Sequence, residues 1–155
     1  MSMLLTSPVT GGAQTGFTAP TYTLVADTAP DVNGRQFAVS ALGGTQAGVT
    51  VHSVAAPFTF LVSRPKVFKN LGKANPITNV VKDVPMNIYR GIIRKGVIPL
   101  AGQPYQIALI RVEFHVPAGS DTADAANLRA MCSLAIGGLN QLSAGTGDSL
   151  LSGII

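Results

Sequence analysis

The chain has no tryptophan, one cysteine, 6% aromatic residues and only 12% charged residues. Each shortage excludes something. Cys132 has no partner for an intramolecular disulfide and cannot build a thiolate zinc cluster; within an apolar helical pattern it reads as packing. Two histidines and seven carboxylates are a thin stock for catalysis. His52 and His115 fall on separate strand-like runs, without a second ligand at metal-binding spacing, so no metal site is expected. No Gly-x-Ser-x-Gly elbow is present. No Lys-Ser/Thr pair follows Gly43-Gly44, Gly137-Gly138 or Gly145-x-Gly147, so there is no phosphate loop either. The chain offers no catalytic residue, no cofactor site and no small-molecule substrate site. No apolar run approaches the roughly 20 residues needed to span a bilayer. The opening Met1-Ser2-Met3-Leu4-Leu5-Thr6 lacks the basic region and apolar stretch of a secretion signal. These absences describe a chain of a reducing cytoplasm with no membrane partner.

What remains is apolar and small. At 155 residues the chain is one domain, spanning 1–155 and large enough to bury a core without disulfides. Hydrophobic residues make up 46%, punctuated by 17 Gly and 10 Pro, which excludes disorder. Ordinary soluble domains carry roughly 25% charged residues. A surface this poor in charge would be sticky on a free monomer, so much of it reads as subunit interface. The net charge of +4 hides an asymmetry. From Arg64 to Lys95 there are eight cations (Arg64, Lys66, Lys69, Lys73, Lys82, Arg90, Arg94, Lys95) against Asp83 alone, and the rest of the chain is net negative. That is the footprint of a polyanionic partner, the alternative being a solvated basic face.

The hydrophobic pattern predicts strands first and helices last. Residues 1–20 read as an arm or the start of a hairpin, 21–117 as sheet and 120–155 as helices. Short runs at Tyr22–Ala26 and Gln36–Ser40 flank Asn33-Gly34, a hairpin signal. A turn is expected at Gly43-Gly44, followed by an alternating strand over Val49–Val54. Phe58, Phe60 and Val62 share one face of the next run, with Thr59, Leu61 and Ser63 on the other. A basic loop with Pro65, Pro76 and Pro85 leads to two long strands, Asn87–Lys95 and Gln106–Val116. Ala108, Ile110, Val112, Phe114 and Val116 form an apolar face, opposite Arg111, Glu113 and His115. Arg90, Ile92 and Arg94 share a face in the strand before. Such strands suit an antiparallel sheet with one covered face and one wet, cationic face. Ser120 or Asp121 is the expected helix cap. Leu128, Met131, Cys132, Ala135, Ile136, Leu139 and Leu142 then recur at helical spacing. Gly137-Gly138 costs roughly 1 kcal/mol per residue relative to Ala, so something is expected close against the helix there. Gly145-Thr146-Gly147 should break it, with one last turn over Asp148–Ser152. The fold class is α+β: an antiparallel sheet of six to seven strands, an N-terminal hairpin then a meander, followed by two C-terminal helices. One helix and open sheet edges leave a monomer with uncovered surface, which a homodimer with sheets joined edge to edge would cover.

Val84-Pro85-Met86-Asn87-Ile88-Tyr89-Arg90-Gly91-Ile92-Ile93-Arg94-Lys95-Gly96-Val97 resembles the sixth strand of coat proteins of single-stranded RNA bacteriophages, the levivirus group. The resemblance continues through Pro99-Leu100-Ala101-Gly102-Gln103-Pro104 and through Ile110-Arg111-Val112-Glu113-Phe114-His115-Val116-Pro117-Ala118-Gly119-Ser120-Asp121. It extends to the tail Gly147–Ile155, covering residues 84–155, and is only topological before that.

The resemblance implies the RNA-phage coat protein fold, an interlocked homodimer and assembly of dimers into an icosahedral shell around genomic single-stranded RNA. It places the protein in the virion, assembled in the bacterial host cytoplasm. On this basis Thr59, Ser63, Lys66, Lys69, Arg90, Arg94, Arg111, Glu113 and His115 are RNA-binding candidates. The assembly loop is Gly96, Val97, Ile98, Pro99, Leu100, Ala101, Gly102, Gln103 and Pro104. The dimer helix presents Leu128, Met131, Cys132, Ala135, Ile136 and Leu139, and should cover the apolar face of Gln106–Val116. The family's coats also bind an operator hairpin that represses the replicase. This chain departs from the best-studied members at Ile92, where they have a lysine, and in its longer, more basic residues 64–83. The alternative function is a non-assembling cytoplasmic RNA-binding dimer that regulates translation.

Overall fold

A computed structural model describes residues 3–155; Met1 and Ser2 of the expected arm lie outside the described residues. Six strands form one antiparallel meander in chain order, β1 to β6. They are β1 (Val9–Thr10), β2 (Thr18–Asp27), β3 (Gly34–Thr45), β4 (Phe58–Ser63), β5 (Met86–Val97) and β6 (Gln106–Pro117). Alternation places Phe37, Phe60, Ile93 and Ile110 on one face, because each is the ladder partner of the next.

The sheet curls. β4 pairs with β3 only along Gly34–Ala38, and the rest of β3 pairs with β2 alone. Register shifts between Thr18 and Thr21 and between Thr23 and Leu24 bend this outer hairpin, as bulges do. Gly43 and Gly44 therefore do not make the expected turn; they lie inside β3. Gly44, at φ +69, sits against the carbonyls of Thr18 and Ala19, where no Cβ would fit. The bent hairpin brings the Tyr22 ring edge-on to Phe58, with centroids 5.7 Å apart.

The alternating run Val49–Val54 is not a strand either. β4 covers the far edge of β3 only as far as Ala38; beyond it the segment makes isolated ties rather than a ladder, and it is left as a loop. His52 N donates to Val39 O at 2.9 Å, and Phe58 N donates to His52 Nδ1 at 3.0 Å. His52 is thereby a structural histidine that fastens the loop.

Three helices follow. The expected side-chain cap at Ser120 or Asp121 is absent: Gly119, at φ +87, precedes the single turn α1 (Ser120–Ala123). Asp124 caps α2 (Ala125–Gln141) by accepting from Asn127 N. Gly145-Thr146-Gly147 does not break the chain into a loop but runs within α3 (Ser143–Ser152). α2 carries one charged residue, Arg129, which shares one side of the helix with Ser133 and Asn140, and a wide apolar face on the other. Yet none of its residues is buried, and its neighbours in the fold are α1 and α3. Leu134 is 78% exposed, and on β6 Ile110 is 54% exposed, so within the subunit the helix leaves the sheet uncovered. Within the subunit nothing lies where a Cβ on Gly137 or Gly138 would stand.

α3 closes back on the N-terminal hairpin. Gln14 Nε2 donates to Ser143 O at 2.8 Å and to Ser143 Oγ at 3.0 Å, and Thr15 Oγ1 donates to Asp148 Oδ2 at 2.8 Å. Gly12 allows this approach, since a Cβ there would strike Ser143 Oγ.

Candidate nucleic-acid interface

The β4–β5–β6 ladder decides which polar side chains meet. Ser63 pairs with Arg90 and Arg90 with Glu113; Thr59 pairs with Arg94, and Ile92 with Arg111. Cross-strand partners point to the same side. Arg90, Arg94, Arg111, Glu113, His115, Thr59 and Ser63 thus share one face, as the alternation indicated. Leu61 and Ile92 interrupt it, paired with each other. Thr59 is 5% exposed, so it lies beneath this surface, while Arg90, Arg111 and His115 are exposed.

Within that face one cluster is ordered by direct contact. Arg90 Nε donates to Glu113 Oε1 at 2.9 Å, and His115 Nε2 lies 3.2 Å from Glu113 Oε2. The donated hydrogen bonds from Arg90 and His115 hold the Glu113 carboxyl below the usual carboxylate range. Among the described residues Arg94 and Arg111 enter no ion pair, so this face offers two guanidinium groups beside one neutralised by a carboxylate. Guanidinium forks on an exposed sheet can take phosphate oxygens in pairs.

Lys66 and Lys69 are not brought to this face. Their segment is fastened to the opposite one: Lys69 N donates to Asn87 Oδ1 at 2.8 Å and Asn87 Nδ2 donates to Lys69 O at 3.0 Å. The Phe68 ring lies 6.4 Å from Tyr89, the Arg64 guanidinium sits 5.6 Å over Phe68, and Leu71 packs on Gly119. Asn87 and Tyr89 alternate with Ile88 and Arg90, so the strap from Arg64 to Leu71 runs on the apolar side. No signal in the basic run itself pointed there. Asn87, a polar residue on an otherwise apolar side, was the available hint.

Lys95 also belongs to the apolar side. Its Nζ donates to Thr50 O at 2.7 Å and to Thr50 Oγ1 at 2.9 Å, and lies 4.6 Å over the Phe58 ring. Burial lowers its pKa. It pins the 46–57 loop and is unavailable to a ligand.

The loop expected at 96–104 is shorter at its start. Gly96 and Val97 belong to β5, paired with Ile107 and Gln106. Gly96 is buried against Ala56, where a Cβ would not fit. Ile98, Pro99, Leu100, Ala101, Gly102, Gln103 and Pro104 form the exposed loop, turned at Leu100–Gln103 with Gly102 at φ +83. Leu128, Met131, Cys132, Ala135, Ile136 and Leu139 all lie on α2.

Among the described residues no group of three or more His, Cys, Asp or Glu could hold a metal ion, and no helix is long and apolar enough to cross a membrane. No protein-family model matches the chain, and no curated protein matches it. Among solved structures it is similar to the "Virus-like particle of bacteriophage ESE020". The two are 55% identical over 99% of this chain and 100% of that one, with a TM-score of 0.97.

Proposed function

Because the chain belongs to the family of the bacteriophage ESE020 virus-like particle protein, we propose that it is a phage capsid protein whose copies associate into a closed shell. Its role is structural, and its place is the virion. The observation that carries this reading is the full-length likeness in sequence and fold. The subunit itself supports it: α2 carries a wide apolar face and yet is unburied, which is the state of a helix awaiting other copies.

The finer reading is that of a single-stranded RNA phage coat. Two copies join as a homodimer, the helices of each covering the apolar sheet face of the other, and dimers assemble around RNA in the host cytoplasm. The cationic sheet face lines the interior, where Arg94 and Arg111 neutralise phosphates and release counterions. This concentrates subunits on the RNA, and many weak contacts then hold the closed shell together. The exposed loop at 98–104, with Ile98 51% and Leu100 67% exposed, supplies contacts between dimers.

Electron microscopy of the chain expressed alone in a bacterium tests the reading. Uniform round shells with nuclease-protected RNA are expected. Soluble, folded particles of dimer size would overturn assembly and favour a free RNA-binding dimer. Empty shells would retain the capsid role but remove the RNA face.

A further inference from the structure

The three-residue cluster on the cationic face has a property that phosphate binding alone does not require. Glu113 uses both carboxylate oxygens on neighbours, Oε1 on Arg90 and Oε2 on His115. A face built only to attract phosphate gains nothing from a carboxylate at its centre, since the carboxylate cancels the guanidinium that it holds. We infer that a proton taken up by His115 strengthens phosphate binding at the cluster of Arg90, Glu113 and His115. This deepens the proposed reading of the face as the RNA surface and rests on it.

The charges balance as follows. With His115 neutral, its Nε2–H donates to Glu113 and the cluster of Arg90, Glu113 and His115 has no net charge. One proton on the free ring nitrogen leaves the Glu113 bond in place and makes the cluster +1. Glu113 cannot take that proton first, because the two hydrogen bonds keep it ionised below the usual carboxylate range. Histidine is the side chain whose ordinary titration falls between pH 5 and 8. Ile88 is its partner on β5, Glu113 is its same-side neighbour on β6 and Arg90 is diagonal to it; α1, which also packs on β6, brings one further carboxylate, Asp121. The other edge of β6 is free in the subunit. Side-chain exposures of 50%, 32% and 52% for Arg90, Glu113 and His115 leave all three within reach of a ligand.

The consequence is an RNA grip that tightens as pH falls. One added cation engaging a single-stranded phosphate steepens the salt dependence by about 0.7 in log K against log salt, or about fourfold in affinity near 0.15 M salt. The test is fluorescence anisotropy of a labelled uridine 20-mer, whose bases do not titrate in this range. The full-length chain is used below the concentration at which shells form, at pH 8.0, 6.5 and 5.5. The unaltered chain should bind about fourfold tighter at pH 5.5 than at pH 8.0 for each subunit engaged. His115→Gln should match it at pH 8.0 and lose the gain. Glu113→Gln should already bind tightly at pH 8.0. A flat profile in the unaltered chain, or an undiminished gain in His115→Gln, overturns the inference. The double variant Arg94→Gln, Arg111→Gln, whose residues touch neither Glu113 nor His115, tests the face itself. Undiminished affinity there overturns the RNA reading, whereas weak binding with an unchanged pH profile in His115→Gln overturns only the switch. All four substitutions are at exposed or half-exposed side chains, and a melting curve of each variant verifies its fold.

Discussion

Leu139→Ala should separate dimers while leaving the subunit folded. Leu139 lies near the C-terminal end of the apolar stripe of α2 and is 59% exposed in the subunit. Each buried methylene contributes about 0.8 kcal/mol. The atoms removed by the substitution, weighted by the exposure still to be covered, amount to about 1–2 kcal/mol per subunit. A symmetric dimer buries the residue twice, so association should weaken by about 2–4 kcal/mol, between about 30- and 1,000-fold in Kd. Sedimentation velocity across a concentration series measures that shift. The folding of the separated subunit should change much less, since Leu139 has so little contact within it. Val54→Ala, at a loop residue exposed to 101%, is the control for general stickiness and should leave Kd unaltered. A Leu139→Ala chain that dimerises as tightly as the unaltered one would refute the claim that α2 is covered by a second copy.

Two further outcomes follow from particular contacts. Gly138→Ala meets open space within the subunit and removes a helix-interior glycine, so subunit stability should rise by about 1 kcal/mol while dimer affinity falls; a gain in both, by melting and sedimentation, would show that no partner approaches the helix there. Asn87→Ala deletes the two hydrogen bonds that hold the Lys69 backbone, each contributing about 1 kcal/mol, so trypsin should cleave the 64–73 strap roughly tenfold faster or more. An unchanged cleavage rate would show that the ring contacts of Phe68 suffice.

The central sheet was legible because its pattern is local. In β4, β5 and β6 the alternation holds despite Leu61 and Ile92 on the polar face, so the faces of Arg90, Arg94, Arg111 and Glu113 could be assigned before any pairing was known. Elsewhere the deciding contact is distant in sequence. Val49–Val54 alternates as well as β4 does, but it meets β3 through the bond of His52 N to Val39 O and forms no ladder there. Gly43-Gly44 has the composition of a turn, yet its glycines are required by the close carbonyls of Thr18 and Ala19. Gly145 and Gly147 look like helix breakers; Gly147 instead makes room for the Gln14 side chain. The strap cations were grouped with the sheet cations because charge carries no record of sidedness. Only Asn87 and Tyr89, fixed by the register of β5, reveal it.

The tie between Gln14, Thr15 and α3 turns the fold into a closed circuit. From β6 the chain passes through α1, α2 and α3, crosses by hydrogen bonds to the N-terminal hairpin and returns through the meander to β6. Three such bonds contribute about 2–4 kcal/mol together, which makes the junction a latch that opens readily from the native state. A second chain that is to lie between α2 and the sheet has to arrive while the latch is open, and the latch then retains it. On the dimer proposed above, association and the closing of the latch would be one event, and the lifetime of the pair would depend on the latch as well as on the area buried.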